Sequence, residues 1–112
     1  MKQEFEFFAA HDHVWEPGLV VGTEEKVLSR DPDDPEILTR LVRWQPGFDT
    51  NPAGVITHDW VEEVYILAGE LLDITLGRSF AAGHYACRRP QMPHGPYRSA
   101  TGCTMLEIRY RP

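Results

Sequence analysis

Only two cysteines occur among the 112 residues, Cys87 and Cys103. One pair of thiols makes no disulfide framework, so packing has to hold the fold. Free thiols in a cytoplasmic protein are the expected state. Basic residues are also few: 11 Lys and Arg stand against 17 Asp and Glu, for a formal charge of −6. A surface that neutralises phosphates needs the opposite balance, so nucleic acid is not an expected partner. Arginines do gather in the last third, among them Arg78, Arg88, Arg89 and Arg109. They leave room for a local anion-binding face, although strand arginines more commonly sit at rims. No stretch approaches the roughly 18 apolar residues that a membrane helix requires. The opening MKQEFEFFAAHDH lacks the apolar centre of a signal peptide. No membrane partner is expected, and the chain reads as a soluble cytoplasmic protein.

Helical periodicity is scarce too. Nine Pro and nine Gly divide the chain into short pieces, the pattern of an all-β domain. With 42% apolar residues, including three Trp, four Tyr and five Phe, one core over residues 1–112 is affordable. Residues 1–15 read as an N-terminal arm, with 3–8 able to form an edge or exchanged strand. Strands are expected at about 20–30, 37–46, 55–58, 62–68, 70–76, 83–88 and 103–110. The breaks between them are RDPDDPE, Pro46-Gly47, Ala68-Gly69, Gly77-Arg78, the run RRPQMPHGPY, and SATG. So many short strands imply a sandwich or a closed barrel. The stretch HDWVEEVYILAGELLD also has residues at helical spacing. Its β-branched run, Gly69 and the immediate restart at Leu71 argue for strand, turn and strand.

The chemistry concentrates in THDWVEEVYILAGE, 57–70. In an unbroken strand Glu62, Val64, Ile66 and Ala68 share one face, and Glu63, Tyr65 and Leu67 the other. A carboxylate in phase with Val64 and Ile66 is costly unless it is paired, hydrogen-bonded or bound to a metal. His58 stands just upstream. Taken singly, His58 is a satisfied strand-edge residue, His94 a turn residue and Glu62 a charged strand start.

Together, EEVYILAGE preceded by His58 resembles the first motif of the cupin superfamily, and GHYACRRPQMPHGPY (83–97) resembles the second. LTRLVRWQPG (38–47) is similar to the strand and turn that come before them. The resemblance spans most of residues 20–110 and implies a double-stranded β-helix, or jelly-roll, barrel. It is strongest toward small single-domain RmlC-like cupins, similar to the metal-binding domains of anti-sigma regulators and to diketone-cleaving dioxygenases. By that resemblance the metal ligands are His58, Glu62 and His94. The family's first histidine falls on Ile56, its glycine three before the last histidine on Gln91, and a common asparagine on Arg98. His11, His13 or His84 could supply a further ligand, although His11-Asp12-His13 reads more simply as an exposed acidic arm.

Two imidazoles and one carboxylate compose open-faced non-haem iron centres and some catalytic zinc sites. The implied cofactor is a divalent metal, with iron, zinc, manganese and nickel not distinguished. Ile56, Trp60, Tyr85 and Arg88 are expected to line the pocket. Trp60 is a packing aromatic, since an indole cannot replace an imidazole as ligand. Either Ala86 and Arg88 point inward, bringing a guanidinium suited to a carboxylate or enolate, or Tyr85 and Arg89 do. Salt bridges to Glu62, Glu63 or Asp73 are the plainer role for either arginine. The resemblance implies a metal-dependent oxygenase acting on a small oxygen-bearing molecule, or a non-enzymatic sensor of a metal or small ligand. It also implies a homodimer.

Overall fold

Nine strands and two single turns of 3-10 helix, Ala10–Asp12 and Asn51–Ala53, make up the computed structural model, which describes residues 1–112. The strands are β1 (Glu16–Pro17), β2 (Thr23–Asp31), β3 (Asp34–Trp44), β4 (Phe48–Asp49), β5 (Val61–Asp73), β6 (Arg78–Ala81), β7 (Tyr85–Arg88), β8 (Tyr97–Ser99) and β9 (Cys103–Tyr110). They pair antiparallel in the order β1-β2-β3-β9-β5-β8-β4, with β6 and β7 also on β5. The sheet curls into the expected jelly-roll barrel. No helix is long and apolar enough to cross a membrane.

Strand β5 makes the curl. Its first half lies between β7 and β9, and its second half pairs with β6 and β8. The sequence suggests a turn at Ala68-Gly69; instead the ladder continues through a bulge between Ile66 and Ala68. The extra residue, Leu67, reverses the strand's in–out alternation. Val64 and Ile66 face inward before the bulge, and Leu71 and Asp73 are buried after it. Ala68, expected on the face of Glu62, pairs with Thr104 instead and is exposed. Gly69 has φ +76, and a Cβ there would sit 2.1 Å from the Gly102 carbonyl oxygen. Only glycine fits that crossing.

Other boundaries also move. The expected strand at 55–58 is reduced to one bridge, Ile56 to His94, beyond the Asn51–Ala53 turn. Strands β6 and β8 form where Gly77-Arg78 and the Pro-rich run suggested only turns, because β5 offers them an open edge to pair with. Residues 3–8 form no strand. The arm runs along β2, with Ser29 Oγ donating to the Gln3 carbonyl and Lys26 Nζ to the His11 carbonyl. Lys26 and Arg43 both lie over the Trp15 ring, at 5.0 and 4.2 Å. The cysteines are free: Cys87 is exposed, and burial pushes the Cys103 thiol up to about 11.

The barrel interior is apolar at one end and charged at the other. Val42, Val64, Ile66, Leu71, Tyr97, Cys103 and Met105 pack together, with Trp44 and Phe80 against them. Along the same inward faces, Arg40 bonds Glu25 at 2.6 Å and Glu107 at 3.2 Å, and Arg109 also pairs with Glu107. Burial alone would push the Glu107 carboxyl up, but Arg40 and Arg109 more than offset it and hold it below the usual carboxylate range.

Gly69→Ala adds a left-handed non-glycine residue and a clash with the Gly102 carbonyl, for a loss of about 3 kcal/mol or more in urea unfolding. Gly77→Ala, with φ +65 but open space around it, loses only about 1–2 kcal/mol. Glu107→Gln removes the carboxylate shared by Arg40 and Arg109, leaving them Glu25 and the more exposed Glu36, and costs about 2–3 kcal/mol at neutral pH. A lowered folded pKa gives stability that is full above the ordinary value of 4.5 and is lost as pH falls through the folded value. The gap between wild type and Glu107→Gln therefore shrinks below pH 4.5, as unfolding curves across that range would show.

Candidate metal centre

Two loops and the start of β5 deliver three side chains to one point. His58 comes from the segment before β5, Glu62 from its second residue, and His94 from the loop between β7 and β8. Backbone bonds join the two loops. Ile56 N–H donates to the His94 carbonyl at 2.9 Å, His94 N–H returns to Ile56 at 3.0 Å, and Gln91 N–H reaches the His58 carbonyl at 2.7 Å. Gln91 has φ +67, so it adopts the left-handed conformation that suits glycine. The position that the family gives to glycine thus keeps its backbone shape without it.

One donor atom from each of His58, Glu62 and His94 lies within 4.8 Å of the other two. Both imidazoles are oriented by their own backbone: His58 Nδ1 lies 3.0 Å from the Trp60 carbonyl, and His94 Nδ1 lies 3.0 Å from that of Met92. A carbonyl only accepts, so each Nδ1 carries a proton and each Nε2 is the atom turned toward the cluster. His58 Nε2 is buried without a hydrogen-bond partner, although Glu62 Oε2 is 3.1 Å away. With the Nδ1 proton directed to the Trp60 carbonyl, Nε2 and the Glu62 carboxylate offer two donor atoms that one shared cation, a metal ion or a proton, would bridge. The residues present therefore fit a divalent metal. Burial, reinforced by the nearby Arg88 charge, lowers the pKa of His94 and favours the neutral ring that a metal needs.

Aromatic packing fixes the first imidazole further. The Trp60 ring stacks on His58 with centroids 4.5 Å apart and planes 2° from parallel. The Arg109 guanidinium lies 5.0 Å from the Trp60 centroid. His94 meets the His58 ring edge-on at 4.9 Å. Ile56, opposite His94 in the bridge, puts hydrocarbon where the family has an imidazole.

The centre borders a cavity of about 400 Å³, walled by Val64, Ile66, Leu71 and Phe80 and reached by Arg88, His94 and Tyr97. The parity left open by the sequence is resolved by register: Glu62 opposes Arg88 and Val64 opposes Ala86, so Arg88 points inward. Its Nη1 donates to Glu62 Oε1 at 3.1 Å and its Nη2 to the Tyr97 hydroxyl at 2.6 Å. Tyr85 borders the same cavity, but its phenol turns outward to Glu63, a hydrogen bond that raises the phenol's pKa. Ile56 and Trp60 lie beside the metal cluster and outside the cavity wall. His84 lines the cavity but is not one of the clustered donors. His11 pairs with Asp12, and His13 stacks on Phe8.

Two contributors escaped the sequence reading, Tyr97 and Arg109. Tyr97 lies in a Pro-flanked run that read as turn. Arg109 was visible through its phase with Met105 and Glu107, but only the β5–β9 register shows it opposite Glu62.

Comparisons with known proteins agree with this architecture. An RmlC-like cupin from Shewanella frigidimarina superposes with a TM-score of 0.74 at 18% identity, covering 97% of this chain and 93% of that one. An acetylacetone dioxygenase from Acinetobacter johnsonii gives 0.66 at 14% identity, over 94% and 72%. A chain of the Rhodobacter sphaeroides complex of SigE with the anti-sigma ChrR gives 0.63 at 22% identity, over 88% and 50%. At such identities these likenesses speak for the fold. No curated protein sequence matches the chain. The ChrR cupin-like domain family matches residues 3–109. With nearly its whole length matched and the barrel, the two motifs and the clustered donors in place, the chain belongs to the ChrR cupin-like domain family.

Proposed function

We propose that this protein is a metal-binding cupin that uses His58, Glu62 and His94 to hold one divalent ion at the edge of a cavity for a small oxygen-bearing organic molecule. The observation that carries the reading is the orphaned, buried Nε2 of His58 facing Glu62, with both imidazoles held by backbone carbonyls. A bound metal would supply Lewis acidity and orientation to oxygen atoms of the guest. The chain's own residues place those atoms: the hydrocarbon wall excludes water, and Arg88 and Tyr97 offer polar contacts. Two imidazoles and a carboxylate suit iron or zinc and also admit manganese or nickel. In the enzymatic form of this reading the protein is an oxygenase, and the acetylacetone dioxygenase among its structural neighbours motivates diketones as trial substrates.

A second reading is a non-enzymatic cupin that senses a metal or small ligand. Two observations favour it: Ile56 stands in the place of one family ligand, and Arg88 already neutralises Glu62. The two free thiols support placement in the cytoplasm. A homodimer belongs to the proposal too. Phe7, Leu19 and Val21 are 106%, 102% and 96% exposed, and a second copy would cover them. Sedimentation should give a dimer that Phe7→Asp and Leu19→Asp weaken, whereas a monomer in the wild type at micromolar concentration would count against it.

Elemental analysis of untagged protein tests the centre. About one equivalent of metal is expected in wild type, falling at least about tenfold in affinity in His58→Ala and His94→Ala. Ile56→His should bind more tightly than wild type. Absence of metal from reconstituted wild type would remove the proposal. Oxygen uptake with small diketones and phenols then separates the oxygenase from the sensor.

A further inference from the structure

We infer that the cavity is built for a small organic anion, a carboxylate or an enolate, received by Arg88 together with Tyr97. The inference rests on the metal reading above and adds the charge of the guest.

Its first support is the position of Arg88. The side chain is 13% exposed, enters the barrel from β7, and lies over the Tyr97 ring with 5.6 Å between the guanidinium carbon and the centroid. A guanidinium carries five N–H donors. The bonds to Glu62 Oε1 and the Tyr97 hydroxyl use two of them. The others are available to an oxygen ligand, and a planar fork suits a carboxylate.

The second support is the sum of charges. The Arg88 cation and the Glu62 anion cancel, and imidazoles that ligate a metal do so as neutral rings. A divalent ion raises that cluster to +2. The other carboxylate along the cavity is Asp73, buried and accepting the Leu76 N–H at 3.0 Å in the turn after β5. Counting it still leaves +1. Uncompensated charge beside a hydrocarbon wall is unfavourable, so an anionic guest is stabilised over a neutral guest of equal shape.

Tyr97 adds direction. Arg88 donates to its oxygen, which leaves the phenolic hydrogen free to donate to a guest. Burial raises its pKa, so that hydrogen is retained through neutral pH. The volume of about 400 Å³ accommodates an aromatic ring bearing such a group.

Salicylate and salicylamide differ in charge at nearly constant shape, and calorimetric titration of each into zinc-loaded protein tests the assignment. Salicylate is expected to bind about tenfold or more tightly than salicylamide. Metal alone would also favour the carboxylate, so the deciding arm is Arg88→Gln. There the preference should fall by about tenfold while elemental analysis still counts the same zinc. Arg88→Lys should keep part of the preference, which guards against a misfolded glutamine variant, and Tyr97→Phe should lose a smaller part. Equal affinity for the two probes in wild type, no binding of either, or a preference that survives Arg88→Gln would each overturn the inference. Zinc uptake is measured separately. Wild type without zinc removes the metal reading, while zinc with no anion preference removes only this one.

Discussion

The passage of Gly69 across the Gly102 carbonyl sets the shape on which everything else in the barrel depends. There β5 leaves one set of partners for another while remaining a single strand. Before the bulge it presents Glu62, Val64 and Ile66 inward, and after it Leu71 and Asp73. One strand therefore furnishes both the carboxylate of the candidate metal centre at one end of the cavity and the apolar wall further along. A side chain at Gly69 would force the two halves apart and separate the wall from the ligand.

Within that frame, charge is handled in pairs. Arg40 on β3 meets Glu25 of β2 and Glu107 of β9, Arg109 meets Glu107 as well, and Glu107 is held ionised between the two guanidiniums. The same logic reaches the candidate centre, where Arg88 donates to one oxygen of Glu62 and His58 Nε2 stands 3.1 Å from the other. Trp60 joins the two regions physically, with His58 on one face of its ring and Arg109 near it.

Much of this was legible in the sequence because it follows from spacing. Alternation in CTMLEIRY gives β9 to the residue, and the phase of Glu62 with Val64 and Ile66 puts the carboxylate inside. His94 is brought to His58 and Glu62 as the two motifs imply. Long-range pairing was not legible. The bulge at Leu67 reverses the strand's parity without any proline or glycine at that position. Strand β8 exists because β5 offers it an edge, so its short run gives no local sign. Arg88 could not be assigned a face until Glu62 was seen opposite it. Gln91 looked like a departure from the family pattern, yet its backbone keeps the left-handed turn.

The sharing of Glu62 has one more consequence. Arg88 gives the Glu62 carboxylate a counter-ion from within the barrel, so the charge of that side chain is balanced by the protein's own residues. An ion bound as proposed would compete with that resident cation for the same carboxylate. The same carboxylate is thereby the point where the charge of the protein and the charge of any bound ion are set against each other.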